Sequence, residues 1–237
     1  VSLADIAEVQ LAGVIGFETD KDPLDGHDAR WAERERFKST LEFVGMLNKF
    51  VEHIPDIAFE PADYSYGRFT ETADSILSRF REYSKYPIKH RLKMIADDIY
   101  DSFDMNNFIE YDIPKSRTIL KALKQMLKVK DALTLYKEFY KRNGVPQMFV
   151  MPAKKTLEWA DVYPFLYVHA VFEGLREKGV IRHLVIDEMQ DYTPIQYAAL
   201  NLLFKCPKTI LGDFGQFLNP NRLHTLEDLK QLYCGAE

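Results

Sequence analysis

Residues 183–213 constrain the fold more than any other stretch. His183-Leu184-Val185-Ile186-Asp187 is a short apolar run ending in acid, and Lys208-Thr209-Ile210-Leu211-Gly212-Asp213 is a second. Between them Thr193 suits a helix N-cap and Pro194 the first helical position. Strand, helix and strand within about thirty residues make a βαβ unit, which implies a parallel sheet and a right-handed crossover. Such strands are expected to be buried, hence continuously apolar rather than alternating. Their carboxyl ends form the edge where open α/β sheets bind ligands.

The rest of the chain has a different texture. The first residues end in the apolar run VQLAGVIGF, followed by the polar break ETDKDPLDG. From about Arg30 to Asn143 the apolar spacing turns helical. Phe37, Leu41, Val44, Phe50 and Ile54 fall near one stripe of a first helix. A second is expected around Ile76 to Tyr83, and Ile88, Leu92, Ile95 and Ile99 mark a third. A fourth segment, Lys115 to Arg142, holds nine basic and two acidic residues. Past Gly144, Pro, Met and aromatic residues dominate to Val168, and a helix is expected from there to about Lys178. The expected organisation is an α/β block at 1–20 and 146–237, interrupted by a mainly helical arm at 21–145.

Composition narrows the function classes. A chain of 237 residues with 46% hydrophobic and 28% charged residues has the make-up of a globular protein with a real core. The net charge of −5 argues against wholesale wrapping of nucleic acid, although a local basic face remains open. Cys206 and Cys234 form no C-x-x-C pair, so a disulfide framework or cysteine zinc site is not expected. No apolar run approaches the ~18 residues of a membrane span, and the opening residues do not read as a signal peptide. A cytoplasmic protein without a membrane partner is the expectation. Val1 stands in mid-pattern, as in a piece of a longer protein.

The two strand ends carry the chemistry. An apolar strand delivering Asp187 and Glu188 has the Walker B arrangement of P-loop NTPases. The first carboxylate suits Mg²⁺, a hard ion that takes oxygen ligands. The second can orient or deprotonate the water that attacks a γ-phosphate. Alone, the pair reads equally as a strand end with two solvated acids. Asp213 follows Asp187 by twenty-six residues, and Gln216 lies three further on. Adjacent parallel strands would bring both ends to one edge, where Gly212 permits a tight turn beside a ligand. Gln216 can donate to a phosphate oxygen and accept from water together.

VIDEMQDYTPIQYAALNLLF followed by TILGDFGQFLNP resembles motifs II and III of superfamily 1 helicases of the UvrD/Rep class. The closer resemblance is to the HelD and helicase IV branch, and Tyr163-Pro164-Phe165-Leu166-Tyr167 is similar to that branch just upstream of Walker B. Met189 departs from it, where many relatives carry alanine. The resemblance implies an incomplete RecA-like P-loop domain, with ATP and Mg²⁺ as cofactors and nucleic acid, DNA ahead of RNA, as partner. It assigns Asp187 to the metal and Glu188 to water activation. Gln190 and Asp191 fall to coupling within motif II, and Asp213 with Gln216 to γ-phosphate sensing. No G-x-x-x-x-G-K-[ST] run occurs in the chain. The phosphate loop is therefore expected upstream of Val1 and the arginine-bearing motifs after Glu237, and this piece alone is expected to be inactive.

For the helical arm the resemblance implies contact with RNA polymerase, in a recycling factor whose ATP turnover drives release rather than unwinding. Lys121, Lys124 and Lys128 would share one helical face by their spacing and are the candidate partner contacts. A solvated helix face is the alternative. Tyr64, Tyr66 and Phe69 read either as a partner anchor or as cover for a small core.

Overall fold

The structure is a computed structural model that describes residues 1–18, 30–107, 111–176, 181–212 and 230. In chain order the elements are α1 (Leu3–Leu11), β1 (Gly16–Phe17), α2 (Trp31–Lys38), α3 (Leu41–Ala58), β2 (Tyr64–Tyr66), β3 (Phe69–Glu71) and α4 (Ala73–Glu82). There follow α5 (Ile88–Met105), α6 (Ser116–Gln125), α7 (Ala132–Arg142), β4 (Thr156–Leu157), α8 (Trp159–Phe172), β5 (Leu184–Ile186), α9 (Pro194–Leu203) and β6 (Lys208–Ile210). The architecture is mixed α/β and mainly helical. β1 pairs with β4 in parallel, β5 with β6 in parallel, and β2 with β3 antiparallel. Among the described residues no helix is long and apolar enough to cross a membrane.

Short polar side chains set several helix starts. The Ser2 hydroxyl accepts from the Asp5 N–H at 3.1 Å, and the Asp5 carboxylate accepts from the Ser2 N–H at 2.7 Å, a capping box that opens α1. The stripe from Phe37 to Ile54 belongs to two helices rather than one. α2 stops where the Ser39 hydroxyl turns back to the Glu35 carbonyl at 2.8 Å. Thr40 then accepts from the Phe43 N–H at 3.1 Å and starts α3. The segment from Lys115 to Arg142 also divides. Leu127 bridges to Phe59, and Asp131 accepts from the Thr134 N–H at 2.8 Å to restart the helix as α7. α8 starts about nine residues before its expected place. Its sequence, WADVYPFLYVHAVF, is apolar all round and contains Pro164, so a buried helix left no amphipathic period to read.

The chain divides into two compact units: Val1–Phe50 with Tyr136–Val168 and Leu175–Glu237, and Val51–Leu135 with His169–Gly174. In the first unit Ile6 of α1, Ile186 of β5, Met189, and Tyr197, Leu200 and Phe204 on and just past α9 make one buried cluster. Burial along β5 is one-sided. Ile186 is 3% exposed and Val185 60%, so the doubly buried strand that the apolar run suggested is corrected to one covered on a single face.

The same unit holds a buried ionic cluster. Lys38 of α2 donates to Asp161 at 2.7 Å, and Arg34 Nε donates to Glu158 at 2.9 Å. Tyr136 and Tyr140 of α7 donate to the other Asp161 oxygen at 2.6 and 2.9 Å. Burial pushes the Asp161 carboxyl up, while Lys38 and the two hydroxyls pull it down. Such a charge is tolerated in a core only when every oxygen is satisfied.

The second unit is built on α5. Ile88, Leu92, Ile95 and Ile99 are fully buried, as their spacing predicts, and α5 packs against α6 and α4. Residues that read as an irregular connector form the hairpin β2–β3, turned at Gly67 with φ +59°. Tyr64 and Phe69 stack on Phe103 at 6.4 and 5.0 Å and are buried, so these aromatics cover a core.

Candidate functional site at the carboxyl edge of β5 and β6

Register places the two strand ends side by side. Leu184 faces Lys208, Val185 faces Thr209, and Ile186 faces Ile210. His183 and Thr209 add a side-chain bridge at 2.9 Å. The crossover is α9, with Thr193 as N-cap and Pro194 in its first turn, and the Thr193 N–H donates to the Gln196 side chain at 2.8 Å. The ladder continues past the strands, because Leu211 donates to the Ile186 carbonyl at 2.8 Å and Met189 donates to the Leu211 carbonyl at 2.9 Å. The chain after β6 is thereby held against the turn that follows Asp187.

That turn is strained. Glu188 sits at φ 52°, ψ 51°, a left-handed conformation unusual for a residue with a Cβ. Non-glycine residues persist there only where surrounding bonds over-determine them. The Asp187 carboxylate accepts from the Glu188 N–H at 2.9 Å, and Gln190 Nε2 donates to Glu188 Oε2 at 2.6 Å. The Asp191 N–H donates to the Glu188 carbonyl at 2.8 Å, closing a short 3₁₀ turn over Met189–Asp191. Beneath it the fully buried Tyr197 hydroxyl donates to the Met189 carbonyl at 2.8 Å.

Gly212 is required here by space. A Cβ on it would fall 2.2 Å from Met189 Cγ, 2.6 Å from Gln190 Oε1 and 2.7 Å from the Met189 nitrogen. It allows a close approach of two backbone segments.

Asp187, Glu188 and Asp191 are exposed at this edge, while Gln190 is buried under it. Tyr192, half-buried, has its hydroxyl pushed up by burial first and then by Asp191 and Asp187. Asp213 and Gln216 lie outside the described residues. Lys121 and Lys124 are exposed on α6, but Lys128 lies past its end, donating its backbone N–H to the Ala58 carbonyl at 2.9 Å and pairing with Glu60 at 2.9 Å. The expected three-lysine face is corrected to two, because the helix stops at Gln125.

Sequence reasoning missed Tyr197 and the ionic cluster. The signal for the cluster was present, since Arg34 and Lys38 stand four apart on α2 and Glu158, just before α8, stands three from Asp161.

Asp187 and Glu188 are oxygen donors of the kind that a hard cation takes. Among the described residues no group of three or more His, Cys, Asp or Glu assembles. Mg²⁺ bound with a nucleotide needs only one or two protein carboxylates, the rest of its shell being water and phosphate oxygen. No protein-family model matches the chain, and no curated protein does.

Proposed function

We propose that the chain is part of the first RecA-like domain of an ATP-dependent superfamily 1 motor acting on nucleic acid. The observation that carries the reading is the parallel β5–α9–β6 unit with Asp187 and the strained Glu188 at its carboxyl edge. In this reading Asp187 holds Mg²⁺ bound to ATP, and Glu188 orients or deprotonates the attacking water. The bound metal supplies charge neutralisation at the phosphates. Gln190 fixes the Glu188 carboxylate, Gly212 lets the end of β6 lie against that turn, and Asp213 and Gln216 keep the γ-phosphate role that the resemblance gives them. The phosphate loop is assigned to residues outside the chain.

The test is ATP turnover by the full-length parent carrying Glu188→Gln. Loss of a positioned base lowers turnover by about 10²- to 10⁴-fold. Turnover near the unaltered rate overturns the assignment.

A second reading makes RNA polymerase binding through the helical arm the main activity, with ATP turnover driving release. Lys121 and Lys124, exposed together on α6, favour it. Capture of polymerase by the parent should be lost on charge reversal at those two lysines and kept on reversal at Lys128. Capture unaffected by the first pair removes this reading.

A further inference from the structure

The second unit carries a basic and aromatic surface that neither reading uses. Residues 79–93 hold six lysines or arginines against one glutamate, in a chain of net charge −5. Three of these cations have internal tasks. Arg79 pairs with Glu71 at 3.3 Å, and Lys89 with Glu173 at 2.7 Å. The buried Arg91 guanidinium donates to the Tyr86 and Ser84 carbonyls at 2.7 and 2.6 Å. Those last bonds clamp the turn between α4 and α5 from within. Arg81, Lys85 and Lys93 are exposed and make no ion pair among the described residues.

The clamped turn presents flat rings. Tyr86 is 46% exposed, and its ring stacks on that of exposed His90 at 5.3 Å with 14° between planes. Tyr83 meets Tyr86 edge-on at 6.4 Å and is anchored by its hydroxyl to Asp98 at 2.6 Å. α5 begins beside these rings with no capping side chain and no acid in its first turn. The positive end of the helix dipole is therefore not offset by an acid of α5 itself, although Glu173 pairs with Lys89 in that turn.

We propose that Tyr86 and His90, with Arg81, Lys85 and Lys93, form a docking surface for single-stranded nucleic acid. Stacked rings offer a base a π-face that any sequence can use, and the flanking cations meet its phosphates. An acidic protein segment would use the cations but gain little from the rings, so the exposed stack favours the polynucleotide. DNA and RNA share this chemistry, because both present base faces and phosphates. The inference does not rest on the ATP site, since binding here needs no nucleotide.

The experiment is fluorescence anisotropy of the 237-residue chain, without ATP, with fluorescein-labelled fifteen-residue oligothymidylate and oligouridylate at several salt concentrations. Tyr86→Ala should weaken binding about tenfold with little change in salt dependence. Lys85→Glu with Lys93→Glu should weaken it and lower the log–log salt slope by about 0.7 per lost phosphate contact. Tyr86→Trp should retain binding and add indole fluorescence that the oligonucleotide quenches, which guards against a misfolded alanine variant. Glu188→Gln should leave affinity unchanged, separating this surface from the motor reading. Either oligonucleotide behaving this way supports the surface, and the tighter one names its source. No binding of either, indifference to all these variants, or competition by polyglutamate with indifference to Tyr86→Ala overturns it.

Discussion

Gln190 Nε2 donates to Glu188 Oε2 at 2.6 Å, across a turn in which Glu188 itself is left-handed. The two side chains are two residues apart, and one is buried while the other faces out. A buried amide thus sets the direction of an exposed carboxylate, which the role proposed for Glu188 requires. The resemblance assigns Gln190 to coupling; what the structure shows is its bond to Glu188.

Replacing Gln190 by alanine should therefore release Glu188 without removing its charge. On the proposed ATPase reading, the expected outcome in the full-length parent is a fall in kcat of about tenfold to a hundredfold, smaller than for Glu188→Gln. The KM for ATP should change little. Steady-state ATPase assays check it, and a Gln190→Ala enzyme matching the unaltered kcat would separate the two residues.

Gly212→Ala should destabilise the first unit. The added methyl meets backbone nitrogen and a held amide, which give way less readily than a free side-chain end. Overpacking of this kind costs about 1–3 kcal/mol. Thermal denaturation should show a lower Tm for Gly212→Ala, and an unchanged Tm would mean that the turn after Asp187 yields.

Lys38→Met should strand Asp161 in the core with only hydroxyl partners. Breaking one side of a buried pair costs about 3–5 kcal/mol. Lys38→Met combined with Asp161→Leu should recover part of that loss, because no buried charge then lacks its partner. Urea denaturation of the single and double variants reads the difference, and a double variant no better than the single contradicts the coupling.

Alkali should unfold the protein starting near pH 10. The hydrogen bond to Asp98, then burial, pushes the Tyr83 hydroxyl up to about 12. Burial first, with Asp161 next, holds Tyr136 and Tyr140 well above the usual phenol range. The folded state keeps these protons where the unfolded state releases them, so stability is present below about pH 10 and is lost as pH rises through the raised values. Phenolate absorbance should show these tyrosines titrating together with loss of helical circular dichroism. Their titration before unfolding would contradict the burial.

The α/β signature was legible because it is local. Ile186 and Ile210 each sit in a short apolar run, and Thr193-Pro194 announces the helix between them, so adjacent parallel strands followed from chain connectivity alone. The α5 stripe was legible for the same reason, since Ile88 to Ile99 repeat at helical spacing on one buried face. α8 was misplaced because it is apolar on every side, and the single stripe from Phe37 to Ile54 concealed a break that only the Thr40 cap reveals.

What the amino-acid order determined by itself is that two adjacent carboxylates, Asp187 and Glu188, end an apolar strand, their roles being those proposed above. What the tertiary structure alone decided is how they are held. The Gln190 bond, the left-handed Glu188 and the Tyr197 hydroxyl under the turn belong to the β5–α9 connection, whereas the approach of Gly212 to Met189 depends on β6 lying against β5. That pairing closes contacts across more than twenty residues of chain. A periodic pattern reports which face of an element is apolar, but the distance between two backbones is set only when those faces pack.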